Sequence, residues 1–424
     1  MRVLVIGSGA REHALAARLA EDRDVGELVV APGNPGIARV ARTVPVDIVA
    51  LDPVLALAER EQIDLTIVGP ELPLSLGIAD RFAAEGRLLF GPTAAAARLE
   101  SSKAFAKAFM ARHGVPTARF ETCDSLDQAL AVVRAGELGW PVVLKADGLA
   151  AGKGVVVADD RATADAAIVA MMGDRKFGAA GDRLVVEECL RGPEVSFFVV
   201  CDGTRGVPIG TAQDHKRIFD DDRGPNTGGM GAFAPSPLVD AALHARVMRE
   251  IIEPVIAGMA AEGCPFRGFL YAGLMLTATG PKVIEFNARL GDPEAQVILP
   301  LIDEPLLPLL VAGAAGELRQ TTVRLGTDCL TGVVLASRGY PDSSESGQAI
   351  SGIDHAEALA GVAVYHAGTA QHDGRLVTAG GRVLTVVGRG ADFADAIARA
   401  YAGVRQISFD GMQYRHDIGR KALQ

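Results

Sequence analysis

The chain lacks any run apolar enough to cross a membrane. Its most hydrophobic late stretch, residues 297–316, is broken by Asp303, Glu304, Pro305 and Pro308. Cysteine is scarce: there are five in 424 residues, and none forms a C-x-x-C pair. That excludes a disulfide framework and a thiolate zinc site, and it fits thiols buried in a reducing cytoplasm. The eight histidines fall at no metal-ligand spacing. Positive charge is in deficit, with 42 Lys and Arg against 52 Asp and Glu. A broad nucleic-acid surface is therefore not expected, and an anionic small molecule needs a cleft that concentrates local lysine and arginine. The sequence opens almost directly on a strand at Val3, so no signal peptide is expected. Aromatics make up only 5%, whereas glycine is abundant at 49 residues. Apolar strands recur between the glycines, so tight turns are expected rather than disorder. The length exceeds a single core and predicts two to four domains.

The first hundred residues alternate strand and helix, with strands at 3–6, 28–30, 65–68 and 88–90. This pattern predicts a doubly wound parallel sheet. The turn Gly7-Ser8-Gly9-Ala10-Arg11-Glu12-His13 resembles a dinucleotide fingerprint and fails it twice. Glu12 stands where the third glycine belongs, and the second strand ends in Ala31-Pro32 with no acid for a ribose. Gly9 can still open a helix N-terminus onto a single phosphate, with Arg11 as an added donor fork. Two further loops, 32–36 and 69–74, follow strand ends at the same predicted edge.

The middle of the chain carries strand, glycine-rich loop, strand: 141–145, then Ala146-Asp147-Gly148-Leu149-Ala150-Ala151-Gly152-Lys153-Gly154, then 155–157. A P-loop would open a helix after its lysine, so that reading fails. A glycine hairpin bearing Lys153 beside a strand lysine, Lys145, instead suits a cover over a triphosphate. The strand 184–188 ends in Glu187 and Glu188, then turns through Leu190 and resumes after Glu194. Strand-end backbone groups suit an adenine edge, and a nearby carboxylate suits ribose hydroxyls; either acid alone also reads as a solvated surface residue. Residues 212–231 contain Asp214-His215-Lys216-Arg217 and Gly224-Pro225-Asn226-Thr227-Gly228-Gly229-Met230-Gly231. They predict a long non-repetitive polar loop, of the kind that usually carries function.

The stretch 282–296 reads as a short strand that breaks at Gly291-Asp292-Pro293. Glu285 and Asn287 are two apart and share one face. A carboxylate and an amide oxygen are hard ligands suited to Mg²⁺ on a nucleotide's phosphates. Arg289 can fork onto a phosphate or carboxylate. Alone, this stretch reads equally well as an acidic edge strand followed by a charged turn.

Taken together, residues 143–154, 214–217, 224–231 and 289–296 resemble the phosphoribosylamine–glycine ligase family (glycinamide ribonucleotide synthetases), ATP-grasp enzymes of purine biosynthesis. The resemblance runs from the Gly7–His13 turn to the end of the chain. The opening GSGAREH and Leu290 depart slightly from the family pattern. The resemblance implies an α/β and α+β multidomain architecture. An N-terminal doubly wound domain (1–102) would precede an ATP-grasp domain (103–316) with a small lid at about 118–188. A C-terminal α+β cap (317–424) would follow.

The resemblance also implies roles. Lys103 and Lys145 would contact phosphates, under a loop that includes Gly148, Gly152, Lys153 and Gly154. Glu187, Glu188 and Leu190 would face adenine, and Glu194 the ribose. Glu285 and Asn287 would hold one or two Mg²⁺ or Mn²⁺ ions. Arg289, Asp292, Asp214 and Lys216 would lie at the reacting groups. Gly9, Arg11, Glu12, Asn226, Thr227, Gly228 and Gly229 would join Asp214 and Arg289 in binding substrate. The implied partners are ATP, glycine and 5-phosphoribosylamine, with no nucleic acid and no membrane, in a cytoplasmic monomer or weak dimer. Another ATP-grasp carboxylate–amine ligase or carboxylase would share the clamp and the metal strand. A nucleotide-binding regulatory module would be expected to lack Lys145, Glu285, Asn287 or Arg289, and all four are present.

Overall fold

The computed structural model describes residues 1–148, 154–174 and 178–424. Gly152 and Lys153 of the glycine hairpin lie outside the described residues.

The apolar runs near the N-terminus form a five-stranded parallel sheet. Its central strand, Arg2–Gly7, lies between Glu27–Pro32 and Leu65–Val68. Short strands Arg42–Thr43 and Leu89–Phe90 complete the two edges. The central strands are buried along nearly their whole length, which is why they read as continuous apolar runs rather than alternating ones. The strand order reverses beside Arg2–Gly7, so a crevice opens at its carboxyl end.

Glu12 fills that crevice. It is 2% exposed, and its carboxylate accepts from the Gly9 N–H at 2.7 Å. A Cβ at Gly69 would lie 2.1 Å from Glu12 Oε1. The residue that breaks the dinucleotide fingerprint thus occupies the space a pyrophosphate would need.

The second sheet has eight antiparallel strands. Gly280–Asn287 is one edge, followed by Arg267–Thr277, Glu194–Asp202, Gly206–Asp214 and Gly231–Ala234. The sheet continues into Cys329–Ala336, Arg382–Gly390 and Val362–His366. The C-terminal strands therefore extend the central sheet, and the helix Phe393–Val404 packs on them. That packing is close: a Cβ at Gly388 would lie 2.2 Å from the Ala396 carbonyl and 2.3 Å from the Ala400 nitrogen. Gly388→Ala must push helix backbone away from the strand. It is expected to destabilise by roughly 1–3 kcal/mol, visible as an earlier thermal unfolding midpoint.

Residues 120–188 contain a third sheet of four antiparallel strands, in the order Phe120–Cys123, Leu184–Glu188, Val142–Ala146, Val155–Ala158. Helices Leu126–Ala135 and Arg161–Ile168 cover it, each N-capped by the side chain before it, Ser125 and Asp160. Its apolar core, around Leu144, Val186 and Ile168, is separate from the two clusters that run through both larger sheets. The unit is joined to the body through polar contacts at one end, described below.

The stretch 212–231 is more ordered than a long loop. It continues the strand Gly206–Asp214, forms a hairpin from Arg217–Phe219 and Arg223–Asn226, and re-enters the central sheet at Gly231–Ala234. The hairpin strands are largely exposed, so neither shows the apolar alternation that marks a strand in sequence. Among the described residues, no helix is long and apolar enough to cross a membrane.

Candidate active site

The edge strand Gly280–Asn287 carries a bulge. Gly273 pairs with Glu285, but Leu274 pairs with Val283, so Ile284 has no opposite residue. Its carbonyl accepts from Lys145 Nζ at 3.0 Å. Glu285 and Asn287 point to one face, as their spacing predicts. Residues opposite one another across the next strands share that face: Tyr271, then Ser196 and Glu194, then Asp214.

Three lysines come to this face from different elements. Lys103 is the first residue of the helix Lys103–Arg112, which Ser102 caps by accepting from the Phe105 N–H. Its Nζ donates to the Gly148 carbonyl at 2.9 Å, and burial lowers its pKa against the opposing pull of Glu285. Lys145 comes from the four-stranded sheet. Lys216 follows Asp214 and donates to Glu194 at 2.7 Å. Burial pushes the Glu285 carboxyl up, but Lys216, Lys145, Lys103 and Arg289 outweigh it and hold the pKa below the usual range. Glu285 is thus an anion among cations, set two residues from an amide.

Among the described residues, no three or more His, Cys, Asp or Glu side chains gather around a metal point. Two oxygen donors on one strand suit a cation that keeps water and phosphate oxygens as its other ligands, as Mg²⁺ does. The donor set therefore fits a metal that arrives with a nucleotide.

Glu187 sits between Lys107 (3.0 Å) and Lys145 (3.1 Å), and all three side chains are at most 6% exposed. Its carboxylate is thereby held away from solvent, leaving the strand's end backbone for a ligand edge. Glu188 accepts from Arg119 at 2.8 Å and lies 3.4 Å from Lys282. Leu190 follows in the turn before Glu194, whose carboxylate is the one paired with Lys216.

Asp214 is half-buried on the cleft face. Burial raises its pKa to about 7; Lys216 opposes this, while Glu294, Glu194 and Glu285 add to it. The unfolded carboxyl ionises near 3.8, so folding takes up a proton between the two values and the carboxylate opposes folding as pH rises across that interval. Asp214→Asn removes this opposition. The difference in melting temperature, variant minus wild type, should increase from pH 5 to pH 8; a constant difference would show that Asp214 ionises normally.

Arg289 turns away from the strand toward the N-terminal domain. Its guanidinium meets Glu71 at 3.3 Å and Glu100 at 3.0 Å, and donates to the Leu290 carbonyl at 3.1 Å. Two of its five N–H donors are hydrogen-bonded to protein groups, and Nη2 pairs with Glu100 by charge. Burial lowers the Arg289 pKa, but Glu100 and Glu71 more than reverse that.

Asp292 accepts from Gln296 at 2.7 Å and lies 3.3 Å from the Arg382 guanidinium. Burial raises its pKa, yet Arg382, Arg11 and Gln296 together bring it below the usual value. Arg382 also donates to the Asp292 and Gly228 carbonyls at 2.6 and 2.7 Å. It ties the C-terminal strands to both site loops.

Several backbone donors expected to face an anion are already engaged. The Gly9 N–H donates to Glu12, the Gly228 N–H to the Tyr340 hydroxyl at 2.8 Å, and the Gly229 N–H to Thr227 Oγ1 at 2.9 Å. Thr227 in turn donates to the Lys216 carbonyl at 2.8 Å, and Asn226 pairs with Arg217 in the hairpin. Arg11 donates to Glu12 at 2.6 Å and to the Leu290 carbonyl at 3.2 Å. These groups brace the loops around Asp292.

Sequence reasoning did not single out Glu71, Glu100, Lys107 or Arg382 as individual site residues. Glu71 lay in a loop marked at the sheet edge. Glu100 and Lys107 carry no local signal, because each is one polar residue on an amphipathic helix.

An antiparallel sheet and a smaller sheet that converge on lysines facing an acid and an amide define an ATP-grasp ligase. Comparison with known proteins narrows this. Three family models match in succession: the phosphoribosylglycinamide synthetase N domain over residues 1–100, its ATP-grasp (A) domain over 101–295, and its C domain over 330–421. A phosphoribosylamine–glycine ligase of Xylella fastidiosa is 52% identical, over 100% of this chain and 98% of the relative. One from Ralstonia nicotianae is 51% identical over 100% of both chains. The crystal structure of a phosphoribosylamine–glycine ligase from Thermotoga maritima superimposes with a TM-score of 0.85 at 35% identity, covering 98% of this chain and 100% of that one. A biotin carboxylase from Campylobacter jejuni shares the fold, with a TM-score of 0.74 at 16% identity, covering 97% and 93%. The chain belongs to the phosphoribosylglycinamide synthetase family.

Proposed function

We propose that this enzyme joins glycine to 5-phosphoribosylamine at the expense of ATP, giving glycinamide ribonucleotide, ADP and phosphate in de novo purine biosynthesis. The observation that carries the reading is the full-length identity of about one half to ligases of that name. The site chemistry supports it. A glycine carboxylate is a poor acyl donor. Attack of its oxygen on the γ-phosphorus expels ADP and makes glycyl phosphate. The amine of phosphoribosylamine then attacks the acyl carbon, phosphate leaves, and the amine gives up a proton. No protein nucleophile is required, so the residues need only position groups, neutralise charge and exclude water.

In this reading Lys103 and Lys145 hold phosphate oxygens, and Lys216 lies at the reacting groups. The glycine loop 148–154, of which only Gly148 and Gly154 are described, is the proposed cover. The strand end at Glu187–Glu188 and Leu190 takes adenine, while Glu194 reaches the ribose. Glu285 and Asn287 hold one or two Mg²⁺ or Mn²⁺ ions, which supply charge neutralisation on the phosphates when bound. Arg289 and Asp292 sit beside the acyl and amine substrates, with Asp214 as a nearby proton acceptor. The edge formed by Gly9, Arg11, Glu12 and 226–229 shapes the phosphoribosylamine pocket. The proposed units are 1–102, 103–316 with a lid at about 118–188, and 317–424, in a cytoplasmic protein that works as a monomer or a weak dimer.

The test is ADP release with ATP, Mg²⁺, glycine and freshly made phosphoribosylamine. Release should stop when either substrate is omitted. Release that ignores glycine would point to another carboxylate ligase or a carboxylase, and no release under any condition to a nucleotide-binding module.

A further inference from the structure

Glu100 is the penultimate residue of the helix Ala94–Ser101 in the N-terminal domain, and its side chain is 6% exposed. Three consecutive residues of the metal strand and its turn converge on this one carboxylate. The Ala288 N–H donates to Oε2 at 2.7 Å, and the Arg289 guanidinium lies 3.0 Å from Oε1. The Asn287 amide satisfies its surroundings in one orientation only. With its nitrogen toward Glu100 Oε1 (3.1 Å) and the Phe286 carbonyl (3.3 Å), every contact pairs a donor with an acceptor; reversed, its oxygen would face two acceptors. Burial raises the Glu100 pKa and Arg289 opposes it, but both carboxylate oxygens face donors, Oε2 the Ala288 N–H and Oε1 the Arg289 guanidinium. Glu100 therefore stands there as an acceptor, and an acceptor discriminates between the two ends of an amide.

We propose that Glu100 is a positioning residue that locks the Asn287 amide with its oxygen free for the nucleotide-bound metal, and sets the Arg289 guanidinium from the same carboxylate. The inference deepens the metal-site reading above and rests on it. Without this lock the amide can turn its N–H₂ toward a cation, which removes one of two protein ligands. The lock also spans two domains, so the metal site is complete only while the N-terminal helix is docked on the edge strand. Outer partners of this kind commonly change metal affinity by about 10–100-fold.

The experiment is a double-mutant cycle read by ATP binding, in Mg²⁺ and in EDTA, on wild type, Glu100→Gln, Asn287→Asp and the double variant. A glutamine at 100 can face the amide with either end. Glu100→Gln should therefore lose about tenfold or more of the Mg²⁺-dependent gain in ATP affinity, while ATP binding in EDTA changes little. An aspartate at 287 presents oxygen from either end. In the Asn287→Asp background, Glu100→Gln should therefore cost less than about twofold. No loss in the single variant, or the same loss in both backgrounds, overturns the proposal. Should Glu100→Gln fail to fold, Glu100→Asp, which draws the carboxylate back by one methylene, takes its place with the same expectation. The readout is equilibrium binding of ATP and Mg²⁺, so it stands apart from the glycine-dependent assay of the ligase reading.

Discussion

Glu285→Ala is expected to reduce ADP formation by about 10²–10³-fold or more while the protein still melts cooperatively near the wild-type temperature. The size of the effect follows from where the carboxylate sits. Lys216, Lys145, Lys103 and Arg289 hold Glu285 in its ionised form against burial, so it presents full charge to a cation. Asn287 alone leaves a metal with one neutral protein ligand on this strand. The fold should tolerate the change, because each cation keeps another partner: Lys145 has Glu187 and the Ile284 carbonyl, Lys216 has Glu194, and Lys103 has the Gly148 carbonyl. ATP binding in EDTA should survive, since the lysines remain. The gain in affinity on adding Mg²⁺ should disappear. Turnover at the wild-type rate in the alanine variant would remove Glu285 from the metal site.

How much of this was legible in the sequence depends on how far apart the partners lie in the chain. The N-terminal sheet was readable because each strand is a continuous apolar run and each turn follows it directly. Glu12 was readable as an obstacle to dinucleotide binding; its role as a filler depends on Gly7, Gly9 and Gly69, which pack around it from separate turns. Glu285 and Asn287 were readable because a two-residue spacing fixes a shared face within one strand. The 212–231 hairpin was not. Its strands are short and, apart from the buried Ile218, largely solvent-facing, and its shape depends on Arg382 and Tyr340, more than a hundred residues away. Glu100 was invisible for the same reason: the Ala288 N–H that it accepts lies 188 residues along the chain. The joining of C-terminal strands to the central sheet rests on pairing between 231–234 and 330–333, which no local pattern encodes.

Arg289 gives the other large effect, and two substitutions separate its parts. Arg289→Ala leaves Glu71 and Glu100 facing each other without the cation between them. Removing one side of a fully buried ion pair commonly costs roughly 3–5 kcal/mol, because uncompensated charge stays behind. With the Glu71 side chain 35% exposed and that of Arg289 19% exposed, solvent screening brings the cost below that range. Arg289→Lys keeps the charge but not the planar fork that spans both carboxylates. The lysine variant should therefore retain most of the stability and lose most of the activity, whereas the alanine variant should lose both. The pH dependence follows from Glu71. Burial raises its pKa, but Arg289 and Arg11 more than reverse that, so in the wild type it lies below 4.5. A lowered carboxyl pKa contributes stability above the unfolded value, and the contribution is lost as pH falls through the folded one. The alanine variant forfeits it. The stability gap between wild type and Arg289→Ala should be widest at neutral pH and narrow as the solution is acidified toward and below 4.5. Thermal melts across that range measure it, and a gap independent of pH would mean that Arg289 acts there through packing rather than through its charge.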